Sequence, residues 1–188
     1  YKVKHWKQKI GGKSNLHNEA NYILVETENF IGTTDTTVTP SVKSYTGFIA
    51  PEVDTLNIDA DGNATLNYYY IRDSFVIRYH GNGADSGNMN DQSFLYEEEV
   101  TISDNLFTRE HYRFVNWNTQ SDGSGVAYAP GEIKLLTDNL DLYAQWALTS
   151  APVKVEHFKQ NIDKTYNTTP DDEVSLLGKI DETITPEV

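Results

Sequence analysis

The sequence predicts an α+β fold that is dominated by strands and built from small modules in tandem. Strands are predicted because apolar residues alternate with polar ones, and because turn sequences rich in glycine, asparagine and aspartate separate these stretches. Tandem modules are predicted because the opening ten residues, YKVKHWKQKI, return in similar form as VKVEHFKQNI. One short helix for each module completes the α+β assignment.

The repeat extends beyond its opening block. In that block His5 corresponds to His157, and a later block at 32–40 corresponds to 178–186. Two separated blocks that recur in the same order indicate a duplicated module.

The duplication divides the chain into four segments. We expect a first module, a different second module, a short linker and a truncated copy of the first module, at residues 1–73, 74–147, 148–152 and 153–188 respectively. A module of this size buries only about 60% of the surface that its unfolded chain exposes, so each core is expected to be small.

In the first module, alternation predicts a strand around VKHWKQK and a second strand around YILVETENF, joined by a polar hairpin loop. The residues after Pro40 are expected to form at most a short helical turn. In DADGN we expect a three-residue hairpin loop with Gly62 in the left-handed conformation, because that register sets Leu56 against Leu66 and keeps apolar residues on one face.

In the second module, three strands are predicted around FVIRYHGNG, YRFVNWN and LDLYAQW. Between the first two, Ser103 or Asp104 is placed to cap the start of a short helix that would include Leu106 and Phe107. Each module is therefore expected to contain several strands and one short helix.

Charge and hydropathy exclude two classes of partner. The chain has 15 basic and 28 acidic residues and a net charge of −13, so phosphate backbones repel it and no nucleic-acid partner is expected. No apolar run reaches the roughly 18 residues of a membrane span, so we expect no membrane insertion within this fragment.

The residues that usually carry chemistry form no recognisable catalytic, cofactor or metal motif, so we expect no enzyme, no cofactor and no metal site. His5 and His157 occupy equivalent strand positions and are interpreted as structural residues. Asp59 and Asp61 begin a calcium-like spacing, but the glycine and the distant glutamate of an EF-hand loop are missing, which favours a plain turn. The remaining acidic loop residues favour solvated loops over weak calcium sites; they are Asp85, Asp91, Asp138 and Asp141.

Three consecutive tyrosines provide the candidate ligand-binding residues. Residues 68–70 are predicted to lie on one strand, so at least one ring must point away from the core. Tyr69 and Tyr70 are the candidates, because an exposed tyrosine can stack on a sugar ring. Packing of the strand against the adjacent module is the more ordinary explanation.

Two family resemblances cover nearly the whole chain. The stretches VKHWKQ and NYYYIR of residues 1–73 resemble mucin-binding-protein-like (MucBP-type) repeats. The stretches YRFVNWNTQSDGSG and LYAQW of residues 74–147 resemble the Listeria–Bacteroides repeat, the internalin B-repeat type. The second pattern usually has glycine where this chain has His111 and Asn116; asparagine tolerates the left-handed backbone better than most residues.

The resemblances imply a fold, a location and a function. They imply small β-grasp modules strung in an elongated array on an extracellular protein of a Gram-positive bacterium, anchored to the cell wall as part of a longer chain. The implied function is a non-catalytic stalk that contacts neighbouring repeats of the same chain. The alternative is a binding module for host mucin glycans or a host surface protein. A lysine–asparagine isopeptide crosslink is a further hypothesis that the sequence does not place.

Overall fold

The computed structural model describes residues 1–179 and shows an all-β protein. In chain order, strands β1 to β15 are Lys2–Gln8, Tyr22–Asn29, Thr37–Val38, Phe48–Ile49, Leu56–Asn57, Thr65–Arg72, Ser74–His80, Gln92–Leu95, Glu99–Thr101, Tyr112–Asn118, Ala127–Tyr128, Ile133–Leu135, Leu140–Leu148, Ser150–His157 and Asp172–Lys179. Residues 1–179 contain no helix. The predicted α+β fold is therefore wrong, and the β-grasp arrangement implied by the resemblance is not supported.

The predicted helix that begins at Ser103 is replaced by extended chain. The Ser103 amide donates to Tyr79 Oη at 2.9 Å, and the Ser103 carbonyl accepts from Trp117 Nε1 at 3.0 Å. Two residues on, the Asn105 side chain accepts from the Phe107 amide at 3.0 Å. Such a side-chain turn competes with helical hydrogen bonding, and here long-range partners take the backbone groups that a helix would use.

The segment after Pro40 is also extended rather than helical. The Pro40 carbonyl accepts from Tyr68 Oη at 2.7 Å, and the Lys43 amide donates to Tyr70 Oη at 3.0 Å. The two tyrosines of β6 thus hold this segment against the sheet and use backbone groups that a helical turn would need.

The chain separates into two compact units. Among the described residues, the first contains 1–78, 91–101 and 133–140, and the second contains 79–90, 102–132 and 141–179. The four segments proposed from the repeat pattern are sequence units, and their boundaries stay a prediction.

The first unit is organised around a four-stranded sheet of order β2-β1-β6-β4. β1 runs antiparallel to β2, with an irregularity between His5 and Trp6, and parallel to β6. The buried core on one face is formed by Val3, Leu66, Tyr68 and Tyr70. Smaller strand pairs join β3 to β5 and β9 to β12.

The turn DADGN is predicted correctly in conformation and wrongly in pairing. Gly62 has a φ of 72°, which confirms the left-handed position. Leu56, however, pairs with Val38 on β3 and not with Leu66. The backbone just after β5 is bonded to the segment around β3 instead: the Ile58 amide donates to the Thr36 carbonyl, and the Ile58 carbonyl accepts from the Asp35 amide, both at 2.9 Å.

The second unit has its core around Trp117, which is fully buried. Three rings surround it: Tyr79 at 4.9 Å between centroids, Phe114 at 5.0 Å and Phe107 at 6.3 Å. Trp117 lies on β10, which pairs antiparallel with β11 and β13. The three strands predicted in this module are present as β7, β10 and β13.

The pair β14–β15 repeats the register of β1–β2. His5 lies opposite Glu26 in the first pair, and His157 lies opposite Asp172 in the second. Alignment of the repeated blocks 32–40 and 178–186 makes Glu26 and Asp172 equivalent. Equivalent residues are thus paired in both copies, which is the structural counterpart of the sequence repeat.

Candidate functional site

The three tyrosines of β6 alternate between the two faces of the sheet. Tyr68 and Tyr70 are buried, whereas Tyr69 is half-buried on the opposite face. This alternation is the normal geometry of a strand and confirms that at least one ring points away from the core. The two candidate residues therefore lie in different environments, and only Tyr69 faces solvent.

Tyr69 belongs to an outer aromatic cluster that consists of Trp6, His17, Tyr22 and Tyr69. His17 stacks on Tyr69 with ring centroids 4.2 Å apart and planes inclined by 9°. Trp6 lies 6.0 Å away in a stacked orientation, and Tyr22 meets the Tyr69 ring edge-on at 4.9 Å. The exposed His17 ring thus covers part of Tyr69 from the solvent side.

The cluster is held in place by polar contacts as well. Trp6 Nε1 donates to Asn67 Oδ1 at 2.9 Å, which ties β1 to β6 on the outer face. Tyr22 Oη donates to the Ser14 carbonyl at 2.7 Å, and burial raises the pKa of Tyr22. The sequence analysis did not identify His17 as a site residue. His17 lies in a polar hairpin loop, where one aromatic ring among polar residues is not enough to predict a binding site.

An open groove of about 370 Å³ lies beside this cluster. Its walls combine aromatic, apolar and acidic side chains, among them His17, Pro51, Glu52, Asp54, Asn67 and Tyr69. Aromatic faces next to hydrogen-bonding groups are typical of sites that bind small polar molecules.

On the opposite face, Tyr70 Oη joins two partners. It accepts from the Lys43 amide at 3.0 Å and lies 2.9 Å from His5 Nδ1. A hydroxyl that accepts the amide proton can give its own proton to Nδ1. His5 then carries its proton on Nε2, which donates to Glu28 Oε2 at 2.9 Å. Every polar atom of this fully buried histidine is satisfied in the neutral form.

Lys43 extends this arrangement into an ion-pair network. Its ammonium group lies 2.5 Å from Glu26 Oε1 and 3.0 Å from Glu28 Oε1, and Tyr45 Oη donates to Glu26 Oε2 at 3.1 Å. The hydrogen bond from Lys43 lowers the pKa of Glu26, and the hydrogen bond from His5 lowers the pKa of Glu28. We call His5, Glu26, Glu28, Lys43 and Tyr70 the inner polar network.

The inner polar network keeps its lysine charged. Hydrogen bonds to Glu26 and Glu28 raise the pKa of Lys43. Burial, followed by the hydrogen bond to Glu26, raises the pKa of Tyr45 to about 12, so this phenol also stays protonated. The network joins β1, β2 and β6 through side-chain contacts.

The residues with calcium-like spacing serve as turn residues. Asp61 Oδ1 accepts from the Asn63 amide at 2.9 Å, and this backbone hydrogen bond lowers the pKa of Asp61. Across residues 1–179, no group of three or more histidine, aspartate or glutamate side chains is close enough to hold a metal ion. Over the same range, no helix is long and apolar enough to cross a membrane.

His111, one of the two residues that replace a usual glycine, has a φ of 63°. The loop before β10 therefore does require a left-handed residue. The His111 carbonyl accepts from the Thr149 amide at 2.7 Å and from Thr149 Oγ1 at 2.8 Å, which fixes this conformation. The other residue, Asn116, lies within β10 beside a register shift and is not left-handed.

Two relatives come from the bacterium Evansella cellulosilytica. One, named "Putative membrane protein", is 33% identical over 137 residues, which cover 67% of this chain and 21% of the relative. The other, named "Putative Gly-rich membrane protein", is 35% identical over 95 residues, which cover 49% of this chain and 11% of the relative. The chain thus spans about a fifth of the first relative and about a ninth of the second.

A family model supports one of the two sequence resemblances. Residues 75–145 match the Listeria-Bacteroides repeat domain (List_Bact_rpt). The matched segment contains the buried Trp117, its strand β10, and residues 140–145 of the neighbouring strand β13. The MucBP-like resemblance of residues 1–73 stays a prediction.

Proposed function

We propose that this chain is a non-catalytic repeat segment of a bacterial cell-surface protein and acts as a stalk or spacer. The observation that carries the proposal is the shared register of β1–β2 and β14–β15, which flank a Listeria-Bacteroides repeat domain. A chain in which one strand pair recurs on either side of a known repeat is organised as an array. The much longer relatives, both named as membrane proteins, are consistent with a surface repeat protein.

The use of polar side chains supports a mechanical rather than a chemical role. The inner polar network directs its hydrogen bonds to other protein groups, and the raised pKa values of its lysine and of the neighbouring Tyr45 keep both groups protonated. Enzymes instead tune such groups toward neutral pKa values beside a cleft. The proposed location is the cell surface, outside the membrane and attached to the wall as part of a longer chain.

The test combines location with binding. Antibodies against residues 1–179 should label intact cells that express the full-length protein, and protease treatment of those cells should remove the label. The purified chain should show no saturable binding to mucin-coated plates or to a glycan array at ligand concentrations up to about 1 mM. Labelling only after the cells are broken would contradict the surface location.

A binding module for host mucin glycans or a host surface protein is the second candidate. The observation that favours it is the outer aromatic cluster with its adjoining acidic groove. A sugar ring stacked on the exposed His17 face would gain about 0.5–1.5 kcal/mol if its geometry resembles aromatic pairing. Tyr70 does not take part in this proposal, because its ring is fully buried.

The two candidates differ in one measurement. Under the binding hypothesis, immobilised mucin captures the chain in a saturable manner, and Tyr69→Ala or His17→Ala weakens that capture. Tyr143→Ala is the matched control, since Tyr143 also stacks on a histidine, His80, at 4.5 Å, but lies on β13. Equal losses in all three variants would indicate nonspecific adsorption and would contradict glycan recognition at the outer aromatic cluster.

A further inference from the structure

We propose that the first module is fixed rigidly to the segment that follows it by a clamp around Arg72, so that the chain has no hinge at residue 73. This inference rests on the proposed spacer function and specifies how such a spacer keeps its length. The residues of the clamp, all within the first compact unit, are Gln8, Gly47, Phe48, Arg72, Asp73, Tyr96 and Glu97.

Arg72 reaches both sides of the junction. Its Nε donates to the Gln8 carbonyl at 2.9 Å, at the end of β1. Its Nη1 donates to the Tyr96 carbonyl at 2.6 Å and to Glu97 Oε2 at 3.1 Å, in the loop after β8. The side chain is only 12% exposed. A planar guanidinium with several donors in fixed directions holds three such acceptors in one geometry.

The second part of the clamp is a contact of the Tyr96 ring with Gly47 and Phe48. The Tyr96 ring lies directly on Gly47, and a Cβ at residue 47 would stand 2.2 Å from ring atoms. Phe48 meets the Tyr96 ring edge-on at 6.1 Å, and the Arg72 guanidinium lies 5.0 Å from the Phe48 ring centroid. Only glycine fits at residue 47, because a side chain would collide with the Tyr96 ring and because the φ of 75° is left-handed.

The backbone amide and carbonyl of the residue between β6 and β7 are both hydrogen-bonded. A single residue, Asp73, separates β6 from β7. Its amide donates to the Gly47 carbonyl at 2.9 Å, and its carbonyl accepts from the Tyr96 amide at 2.9 Å. A hinge must change φ and ψ at a few residues, and here such a change would break both hydrogen bonds.

The loop after β8, which contains Tyr96 and Glu97, is itself a tight turn. The Glu98 amide donates to the Leu95 carbonyl at 2.9 Å, and Glu98 Oε2 accepts from the Leu95 amide at 2.7 Å. Glu97 between them has a φ of 59°. A left-handed glutamate costs about 1–2 kcal/mol, and it persists only where the surroundings fix it.

A rigid junction affects the end-to-end distance of a chain of modules. Flexibly joined modules gain end-to-end distance only with the square root of their number, whereas rigidly joined modules gain it in proportion to their number. A clamp at this junction therefore allows a spacer to hold its reach with few modules.

Spin-label distance measurements test the clamp, and the absence of native cysteine makes labelling specific. Labels at Asn29→Cys on β2 and Glu99→Cys on β9 lie in the first compact unit, one on each side of residue 73. We expect one narrow distance distribution in the otherwise unsubstituted 188-residue chain. Arg72→Ala should at least double its width, and Gly47→Ala should do the same by displacing the Tyr96 ring.

Two controls keep the outcome interpretable. Arg113→Ala removes an exposed arginine from β10 and should leave the distribution narrow. Hydrogen exchange should show the core amide of Tyr68 equally protected in all variants, which demonstrates that the first module remains folded. A broad distribution in the unsubstituted chain, or an unchanged width in both clamp variants, would overturn the rigid junction. Neither result affects the location and mucin tests, so failure of the clamp is distinguishable from failure of the spacer function.

Discussion

His5 Nε2 lies 2.9 Å from Glu28 Oε2, and this contact joins β1 to β2 on the buried face of the first sheet. In β14–β15, which carries the repeated sequence, Val155 and Val174 form the pair that is equivalent to Val3 and Glu28. The copy thus keeps the strand register but replaces the carboxylate partner of its histidine with an apolar residue. The register is a property of the repeat, whereas the inner polar network belongs to the first module.

Removal of one hydroxyl tests the inner polar network. Tyr70→Phe deprives the Lys43 amide and His5 Nδ1 of their shared partner within a buried site. Each buried polar group left without a partner costs about 1–3 kcal/mol, so we expect the free energy of unfolding to fall by at least that amount. Urea denaturation followed by tyrosine and tryptophan fluorescence measures it.

Tyr69→Phe is the matched control, because Tyr69 lies on the same strand with its ring on the outer face. We expect a change of less than about 0.5 kcal/mol. Equal losses in the two variants would show that the hydroxyl of Tyr70 has no special role.

The histidine tautomer is a second test of the same site. Because Tyr70 Oη accepts from the Lys43 amide, its own proton is directed to Nδ1, and the neutral His5 ring should carry its proton on Nε2. Nitrogen-15 NMR shifts of the ring distinguish the two tautomers. A proton on Nδ1 would contradict the proposed order of donors.

The two carboxylates of the network predict an acid-dependent loss of stability. The pKa values of Glu26 and Glu28 are lowered from 4.5 in the folded protein. Above pH 4.5 both groups are ionised in the folded and the unfolded chain, and their stabilisation is fully present. As the pH falls below 4.5, the unfolded chain takes up protons first, and the stabilisation disappears as the pH falls through the lower folded values.

A titration of the free energy of unfolding between pH 7 and pH 3 measures this effect. Lys43→Ala removes one hydrogen bond to Glu26 and one to Glu28, each of which lowers the pKa of its glutamate. The dependence of the free energy of unfolding on pH below 4.5 should therefore become shallower. Lys13→Ala, an exposed substitution in the hairpin loop, should leave the dependence unchanged. An identical pH profile in the Lys43→Ala variant would show that the ion pairs are not coupled to folding.

The sequence predicted the strands well because its alternation reports which side chains a sheet buries. The buried positions Val3 and His5 on β1, and Leu66, Tyr68 and Tyr70 on β6, follow this period of two. The site at Tyr69 was predicted only in part: its exposure follows from the alternation, but the stacking of His17 depends on a loop whose path has no period. Long-range partners of that kind cannot be derived from local pattern.

The wrong helix assignment has a related cause. Ser103 and Asp104 satisfy the local rules for a helix start, yet the Ser103 backbone is bonded to Tyr79 and Trp117, far away in sequence. A short segment with few apolar residues gains little from helix formation, so tertiary hydrogen bonds decide its structure. The pairing of β5 with β3 rather than β6 has the same kind of cause, since the Ile58 backbone after β5 is bonded to Asp35 and Thr36, more distant in sequence than the expected hairpin partner.

The left-handed residue before β10 supplies the last prediction. His111 has a φ of 63°, a conformation that costs about 1–2 kcal/mol for a residue with a Cβ and little for glycine. His111→Gly and His111→Ala both lose the contact between His111 Nδ1 and Ser150 Oγ at 3.0 Å. The difference between the two variants therefore reports the backbone alone, and we expect the glycine variant to be more stable by about 1 kcal/mol. Thermal or urea denaturation of both variants measures the difference, and an alanine variant as stable as the glycine variant would show that the loop has moved out of the left-handed region.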